Sequence, residues 1–321
     1  MLGRLGRRIT VFIVVTVGLV GSLTVTASSS TFPGINGPIV FWTTRDGNGE
    51  VYLRQVDGTE IRLTNNSASE QAPAISPDGT RIAFSSDRDG DYDLYLMNVD
   101  GSNVVQLTNM AGTENSPSWA PNGQSIIFNS GNGSGIDLYT IGINGQGLTN
   151  LTPSTPNAYE TRGSYSPDGT KIAYESSGAG FAQIRLMNAN GTGDVALTSG
   201  TPDFGPSWSP DGLKIAFTSS RDSGFFHIYS MNADGTGQTR LTALGAGGVD
   251  PCWSPDGTKI AFSRTQLWMM IPDGTGQVQL TSAGANSPSW GPGQAPPTPS
   301  TTSTTTPNSS SDPVATPAYT G

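Results

Sequence analysis

Along most of the chain, apolar residues alternate with polar or small ones in runs of five or six, and each run ends at a turn signal. Between 205 and 242 the runs are GPSWS (205–209), KIAFTS (214–219), HIYSMN (227–232) and QTRLT (238–242). They are separated by PDG (210–212), RDSG (221–224) and ADGTG (233–237). A period of two marks a strand. Asp-Gly between apolar runs marks a hairpin, because Gly tolerates positive φ and Asp closes the turn through its side chain. The alternation puts Ile215 and Phe217 on one face of a strand and Ala216 and Thr218 on the other, and Tyr229 and Met231 share a face. Sheets with one large and one small face interdigitate with neighbours on both sides.

The pattern repeats. ISPDGTRIAF (75–84), WAPNGQSIIF (119–128), YSPDGTKIAY (165–174), WSPDGLKIAF (208–217) and WSPDGTKIAF (253–262) are near-copies. The turn residue is Asp78, Asn122, Asp168, Asp211 and Asp256 in turn, so the period is 43 to 46 residues. Four antiparallel strands per unit of about 45 residues is the arithmetic of a β-propeller blade. Strand ends reading Leu-Thr fall at 63–64, 107–108, 151–152, 197–198, 241–242 and 280–281, which gives six blades. The first unit, from Ile39, has no PSWS-like strand ahead of it, and an orphan copy, SPSWGP, stands at 287–292. Ring closure is therefore expected, with Ser287 to Trp290 supplying the inner strand of blade one and removing an open edge. The expected fold is all-β: a six-bladed propeller of four-stranded antiparallel blades, spanning 28–293 and closed by a C-terminal strand.

The consensus PSWSPDG.KIAF.S.RDG…IY.MN.DG…LT resembles the WD40-like (PD40) repeat of the TolB-type six-bladed propellers, over about residues 36–292. Similar blades occur in periplasmic TolB, in the gating propellers of prolyl-oligopeptidase-like and tricorn-like peptidases, and in sugar lyases. The resemblance therefore implies a fold, while function lies in grafted sites. It also implies an α/β domain ahead of the propeller, or a hydrolase domain beside it. Neither is expected here, because the leader runs almost directly into blade one and the residues after Gly293 cannot hold a hydrolase.

Composition sharpens this picture. With 42 Gly and 23 Pro among 321 residues, the chain carries too much turn chemistry for a helical protein. The net charge of −9 lacks the basic footprint of a nucleic-acid binder. Arg4, Arg7 and Arg8, then an apolar stretch from Val11 to Val25, then TASSS, read as an export signal over 1–27. An uncleaved anchor is the alternative. The segment 294–321 is Pro/Ser/Thr-rich and apolar-poor, hence expected to be disordered, a stalk or spacer. Cys252, the one cysteine, cannot form an intramolecular disulfide and is expected to be a small buried residue.

Candidate chemistry is sparse. His227 is the one histidine and is expected at an exposed strand end. No Gly-x-Ser-x-Gly elbow accompanies it, and one His with one Cys excludes a His/Cys zinc site. The repeated PDG aspartates serve the turn, since Asn122 replaces one and could not replace a general acid. Two acidic sets stand out. Glu70, Glu114, Glu160 and Asp203 each precede the Ser or Ala of the turn motif by six residues, and Asp250 stands out of register in blade six. They would form a partial acidic ring at the channel mouth, suited to a cation, a basic peptide terminus or a sugar, or else serve as solvated or backbone-bonded loop acids. DRDGDYD places Asp87, Asp89, Asp91 and Asp93 at alternate positions, like the start of a calcium loop, but with Tyr92 at its sixth position and Asn98 at its twelfth. Arg45, Arg88 and Arg221 share an Arg-Asp core in parallel loops, which suggests a structural role. No cofactor is expected beyond that calcium.

These residues point to a non-enzymatic, monomeric, extracytoplasmic scaffold, periplasmic, cell-surface or secreted, that offers one end of the ring to a protein or peptide. No nucleic acid and no membrane span in the mature chain are expected. The alternatives are a carbohydrate-binding or carbohydrate-cleaving propeller, with Phe204, Phe225 and Phe226 to stack on sugars, and a gating propeller for a separate peptidase.

Overall fold

The computed structural model describes residues 34–293, apart from 132–134, 154–157, 179 and 223–224. The expected export signal and the expected tail lie outside the described residues. The described strands form six four-stranded antiparallel sheets. Blade one combines Asn286–Pro292, Asn36–Thr43, Glu50–Arg54 and Glu60–Arg62, in that order from the centre outward. The last described strand is thus the innermost strand of the first blade, with Ile39 opposite Trp290 and Val40 opposite Ser289. In blades two to six the innermost strands are Glu70–Ile75, Thr113–Trp119, Glu160–Tyr165, Asp203–Trp208 and Val249–Trp253.

The two-faced strands pack as their alternation requires. Ile215, Phe217, Tyr229 and Met231 of blade five sit on Ala173 and Ile184 of blade four. On the other side, Ala216 and Ile228 of blade five receive Trp253, Ile260 and Phe262 of blade six. Ile39, Phe41 and Tyr52 of blade one close the circle against Ala261 and Leu267 of blade six. Phe41, Phe84, Phe128, Phe217 and Phe262, at one repeated position of the second strand, are fully buried. Each contributes about 2–3 kcal/mol by leaving water.

The Leu-Thr strand ends have a role in every blade. The hydroxyls of Thr64, Thr108, Thr152, Thr198, Thr242 and Thr281 accept an N–H near the start of the third strand, from Val51, Leu94, Leu138, Ile184, Ile228 and Leu267, at 2.9–3.1 Å. The PDG corner works through its acceptor oxygen. Asp78 Oδ1 accepts from the Thr80 N–H at 3.0 Å, and Asn122 Oδ1 accepts from the Gln124 N–H at 2.9 Å.

The ring has two different ends. One carries the PDG corners. Asn36 pairs with Pro292 there, the Gly34 N–H donates to the Pro255 carbonyl, and the Asp256 N–H donates to Asn36 Oδ1. The chain therefore enters and leaves the ring at this end. The opposite end carries the loops that lead into each innermost strand and those between second and third strands. Among the described residues, no helix is long and apolar enough to cross a membrane.

Candidate functional site: the channel and its mouth

Every innermost strand breaks its ladder at the same point. Pairing with the second strand shifts between Gln71 and Ala74, Asn115 and Ser118, Thr161 and Ser164, Phe204 and Ser207, and Val249 and Cys252. A matching shift occurs in blade one between Val40 and Trp42. At each break one residue adopts positive φ: Ala72 (46°), Ser116 (53°), Arg162 (52°), Gly205 (56°), Asp250 (52°) and Ser287 (47°). Five of these carry a side chain, and each costs about 1–2 kcal/mol in the left-handed region. Strain of this kind is retained only where the surroundings enforce it, and it concentrates at functional sites. Here it turns one residue per blade inward.

These six residues line a central cavity of about 250 Å³, above a collar of small residues (Ala74, Ser118, Ser164, Ser207, Cys252, Ser289). Below these lie Ile75, Trp119, Tyr165, Trp208, Trp253 and Trp290. The collar stitches blades together. Ser289 Oγ accepts the Ile75 N–H at 3.1 Å, Ser207 Oγ accepts the Trp253 N–H at 3.3 Å, and Cys252 Sγ accepts the Trp290 N–H at 3.3 Å. Trp119 and Trp208 donate from Nε1 to the carbonyls of Ala74 and Ser164 in the preceding blade. Cys252, expected to be a small buried residue, is partly buried in this collar. Burial pushes its thiol up to about 11, so it is held as a neutral thiol.

Of the six inward residues, Arg162 and Asp250 are charged, and they meet. Arg162 Nη1 lies 3.1 Å from Asp250 Oδ1, spanning blade five. The span passes over Gly205, where a Cβ would stand in contact, 3.4 Å from Arg162 Nη1 and 3.7 Å from Asp250 Oδ1. Asp250 Oδ2 accepts from Ser287 Oγ at 3.3 Å, and Trp42 Nε1 donates to the same hydroxyl. On the other side Arg162 Nε is 3.8 Å from Glu175 Oε2, and burial raises the Glu175 carboxyl. The Arg162 side chain keeps 44% of its surface exposed and Asp250 22%, so the pair is wet and open to exchange.

The structure divides the acids read as a ring. Asp250 lines the channel. Glu70, Glu114, Glu160 and Asp203 are buried and bond within their own blades. Glu70 accepts from Ser86 Oγ at 2.9 Å and pairs with Arg88 at 3.1 Å, and both carboxylate oxygens of Asp203 accept from Arg221 Nη2, at 3.0 and 2.9 Å. Glu114 and Glu160 accept from Ser130 and Ser176. Among the described residues they form no ion pair with an arginine, and burial raises both carboxyls, Glu114 to about 7.

The arginines do serve the framework. Arg45, Arg88 and Arg221 lie 4.5–4.8 Å from the ring centroids of Tyr52, Tyr95 and Tyr229. Arg264, which the sequence reading missed, does the same over Trp268 at 4.5 Å. His227 corrects another expectation. It is fully buried, with Nδ1 3.2 Å from Thr242 Oγ1, and burial lowers its pKa. Of the DRDGDYD aspartates, Asp89, Asp91 and Asp93 bring carboxylate oxygens within 4.8 Å of one another, while Asp87 turns away to accept the Ser69 N–H.

A repeat of this fold and sequence has known counterparts. The family model described as the TolB beta propeller domain matches residues 29–224 and 160–295. The chain belongs to the TolB beta propeller domain family. A segment of 48 residues is 46% identical to the Protein TolB homolog of Chlorobaculum tepidum, covering 15% of this chain and 11% of that protein's length. The crystal structure of TolB from Acinetobacter baumannii superposes with a TM-score of 0.70 at 21% identity, over 82% of this chain and 68% of that one. A candidate TolB from Agrobacterium tumefaciens gives 0.65 at 22% identity, over 79% and 91%. At these identities the structural likeness speaks to the shared propeller fold.

Proposed function

We propose that this TolB-type propeller is a non-enzymatic, exported binding module that receives a protein or peptide at the channel mouth where Arg162 and Asp250 meet. The observation that carries this reading is the bridge itself. A cation and an anion face each other across Gly205, both partly exposed and both on strained backbone. A partner that offers a carboxylate to Arg162 and a donor to Asp250 replaces one exposed pair with two, at little net electrostatic cost. The chain enters and leaves the ring at the opposite end, so segments beyond 34 and 293 start away from this mouth. The lone histidine is buried between strands, away from the channel, which supports a binding role over a catalytic one.

The test is affinity capture from envelope extract, comparing wild type with Arg162→Glu, Asp250→Arg and the PDG-end variant Asp256→Asn. The expected result is that both mouth variants lose the captured partner roughly tenfold or more, while Asp256→Asn retains it. Equal capture by all four would refute the mouth as the binding site. One observation favours a second reading. Phe181, Phe225 and Phe226 are exposed on the same end, and Phe204 meets Phe226 edge-on at 5.5 Å. Such faces stack on sugar rings. A glycan array that labels wild type and not Phe225→Ala/Phe226→Ala would select it.

A further inference from the structure

The channel mouth holds one acid more than its bridge uses. At the ladder break, the second strand of each blade places one residue beside the inward one. These are Trp42, Ser85, Asn129, Glu175, Thr218 and Ser263, opposite Asn286, Gln71, Asn115, Thr161, Phe204 and Val249. Glu175 is the acid among them, and the others are neutral. It stands in blade four, the blade whose inward residue is Arg162. The inward residues Ala72, Ser116, Gly205 and Ser287 carry no charge. The mouth therefore gathers two carboxylates, Asp250 and Glu175, around one guanidinium.

The three groups are not equivalent. Asp250 is fixed without Arg162. Its N–H donates to Thr218 Oγ1 at 3.1 Å, and its Oδ2 accepts from Ser287 Oγ at 3.3 Å. Arg162 is the movable member, because its side chain is largely exposed and its Nε is already 3.8 Å from Glu175 Oε2. That oxygen is buried and accepts no hydrogen bond among the described residues. Turning the guanidinium toward Glu175 completes a charge-assisted bond there and uncovers Asp250. A buried carboxylate without a donor is costly, so the gain at Glu175 offsets the loss at Asp250.

We propose that the mouth selects a cationic group of a peptide, an ammonium or guanidinium, which takes the place of Arg162 on Asp250 while Glu175 receives Arg162. The inference rests on the mouth as the binding site and adds the charge of what enters it. With a cation bound, two carboxylates face two cations. With an anion bound, three carboxylates crowd around one guanidinium, and like charges repel. The partner need not bring a carboxylate, because Glu175 supplies it. Beside the cation the surface is apolar. Phe204, next to Gly205 on the mouth side, meets the exposed Phe226 edge-on at 5.5 Å. A basic residue followed by an aromatic one fits both features. Proton linkage gives a second readout. Burial raises the Glu175 carboxyl, and the charged groups acting on it are Arg162, which lowers it, and Asp250, which raises it. Drawing Arg162 onto Glu175 favours its ionised form, so cation binding strengthens as pH rises through the Glu175 value.

The full chain is titrated by calorimetry, at low ionic strength and at pH 5 and pH 8, with two blocked tetrapeptides that differ in one charge. These are acetyl-Gly-Lys-Phe-Gly-amide and acetyl-Gly-Glu-Phe-Gly-amide. The lysine peptide should bind roughly fivefold or more tighter than the glutamate peptide, and tighter at pH 8 than at pH 5. Asp250→Asn should abolish that preference. Glu175→Gln should weaken the lysine peptide roughly fivefold, leave the glutamate peptide no weaker and flatten the pH profile. A merely structural Glu175 would weaken both peptides alike. Asp256→Asn removes one charge at the PDG end and should keep the wild-type preference, which separates the mouth from the net charge of the chain. Binding of neither peptide, equal binding of both, or a preference for glutamate overturns the proposal. So does an unchanged preference in Glu175→Gln. If any of these occurs while Arg162→Glu and Asp250→Arg still lose the captured partner, the mouth stands as the binding site and the cation assigned to it falls.

Discussion

At the scale of single residues, four acids in one repeated position meet two different fates. Glu70 and Asp203 find the arginine of their own blade, while Glu160 has the Ser176 hydroxyl at 3.2 Å and, among the described residues, no arginine; Oε2 is buried without a hydrogen-bond partner in Glu70 and Glu160 alike. Burial is the first cause of the raised Glu160 pKa, with the Ser176 hydrogen bond pulling the other way. The native carboxyl holds its proton to higher pH than it does in the unfolded chain. Its contribution to stability is therefore full below the ordinary glutamate value and is lost as pH rises through the folded pKa. Glu160→Gln should remove that loss, and should stabilise the protein at pH 8 by on the order of 1 kcal/mol by relieving an unsatisfied buried charge. Urea denaturation at pH 5 and pH 8 checks this, and an unchanged difference between the two pH values would count against it. The position of these acids was legible in the sequence, but their direction was not. One extra residue at each ladder break resets the two-residue alternation, so Glu70 points between strands while Ala72 points to the channel. His227 was misplaced for a related reason. A strand's first residue looks exposed along the chain, but the Thr242 end of the neighbouring strand covers it.

At the scale of the element, the innermost strand combines a corner that sequence announces with a break that it hides. The corner is legible because its chemistry is local: Gly257 has φ of 71° and Asp256 Oδ1 accepts the Thr258 N–H at 2.9 Å. The break is held by tertiary packing, and Ala72, Ser116, Arg162, Asp250 and Ser287 carry no shared signature of positive φ. Glycine marks it only at Gly205. This yields a paired expectation. Ala72→Gly removes left-handed strain of about 1 kcal/mol while adding unfolded-state freedom of similar size, and should leave stability within about 0.5 kcal/mol of wild type. Ala83→Gly, in the fully buried second strand, loses a packed methyl group and should cost about 1–2 kcal/mol. Denaturant midpoints decide, and equal costs at the two sites would mean that the positive φ at 72 carries no strain.

At the scale of the whole molecule, closure decides whether six marginal blades behave as one unit. Asn286–Pro292 carries Trp290, which packs with Ile39, Phe41 and Ala261 and donates from Nε1 to the Gly37 carbonyl at 3.1 Å. In the same strand Ser289 Oγ accepts the Ile75 N–H of blade two and the Trp290 N–H donates to Cys252 Sγ of blade six, so it contacts both neighbours. A chain ending at Gly293 is the reference, and a chain ending at Ala285 lacks the strand. The loss of Trp290 burial alone is worth about 2–3 kcal/mol. The exposed edge of Asn36–Thr43 and the broken bonds to both neighbours add more. For a ring of this size, at about 2 °C per kcal/mol, the shorter chain should melt at least roughly 10 °C below the reference. It should also lose the single cooperative transition and aggregate through the open edge. Substituting Trp290→Ala in the reference chain separates packing from closure. It should lower the melting temperature by less than half as much while keeping one transition, because the strand remains to pair. If deletion and substitution cost the same, the ring would be held by the tryptophan and not by the closing ladder.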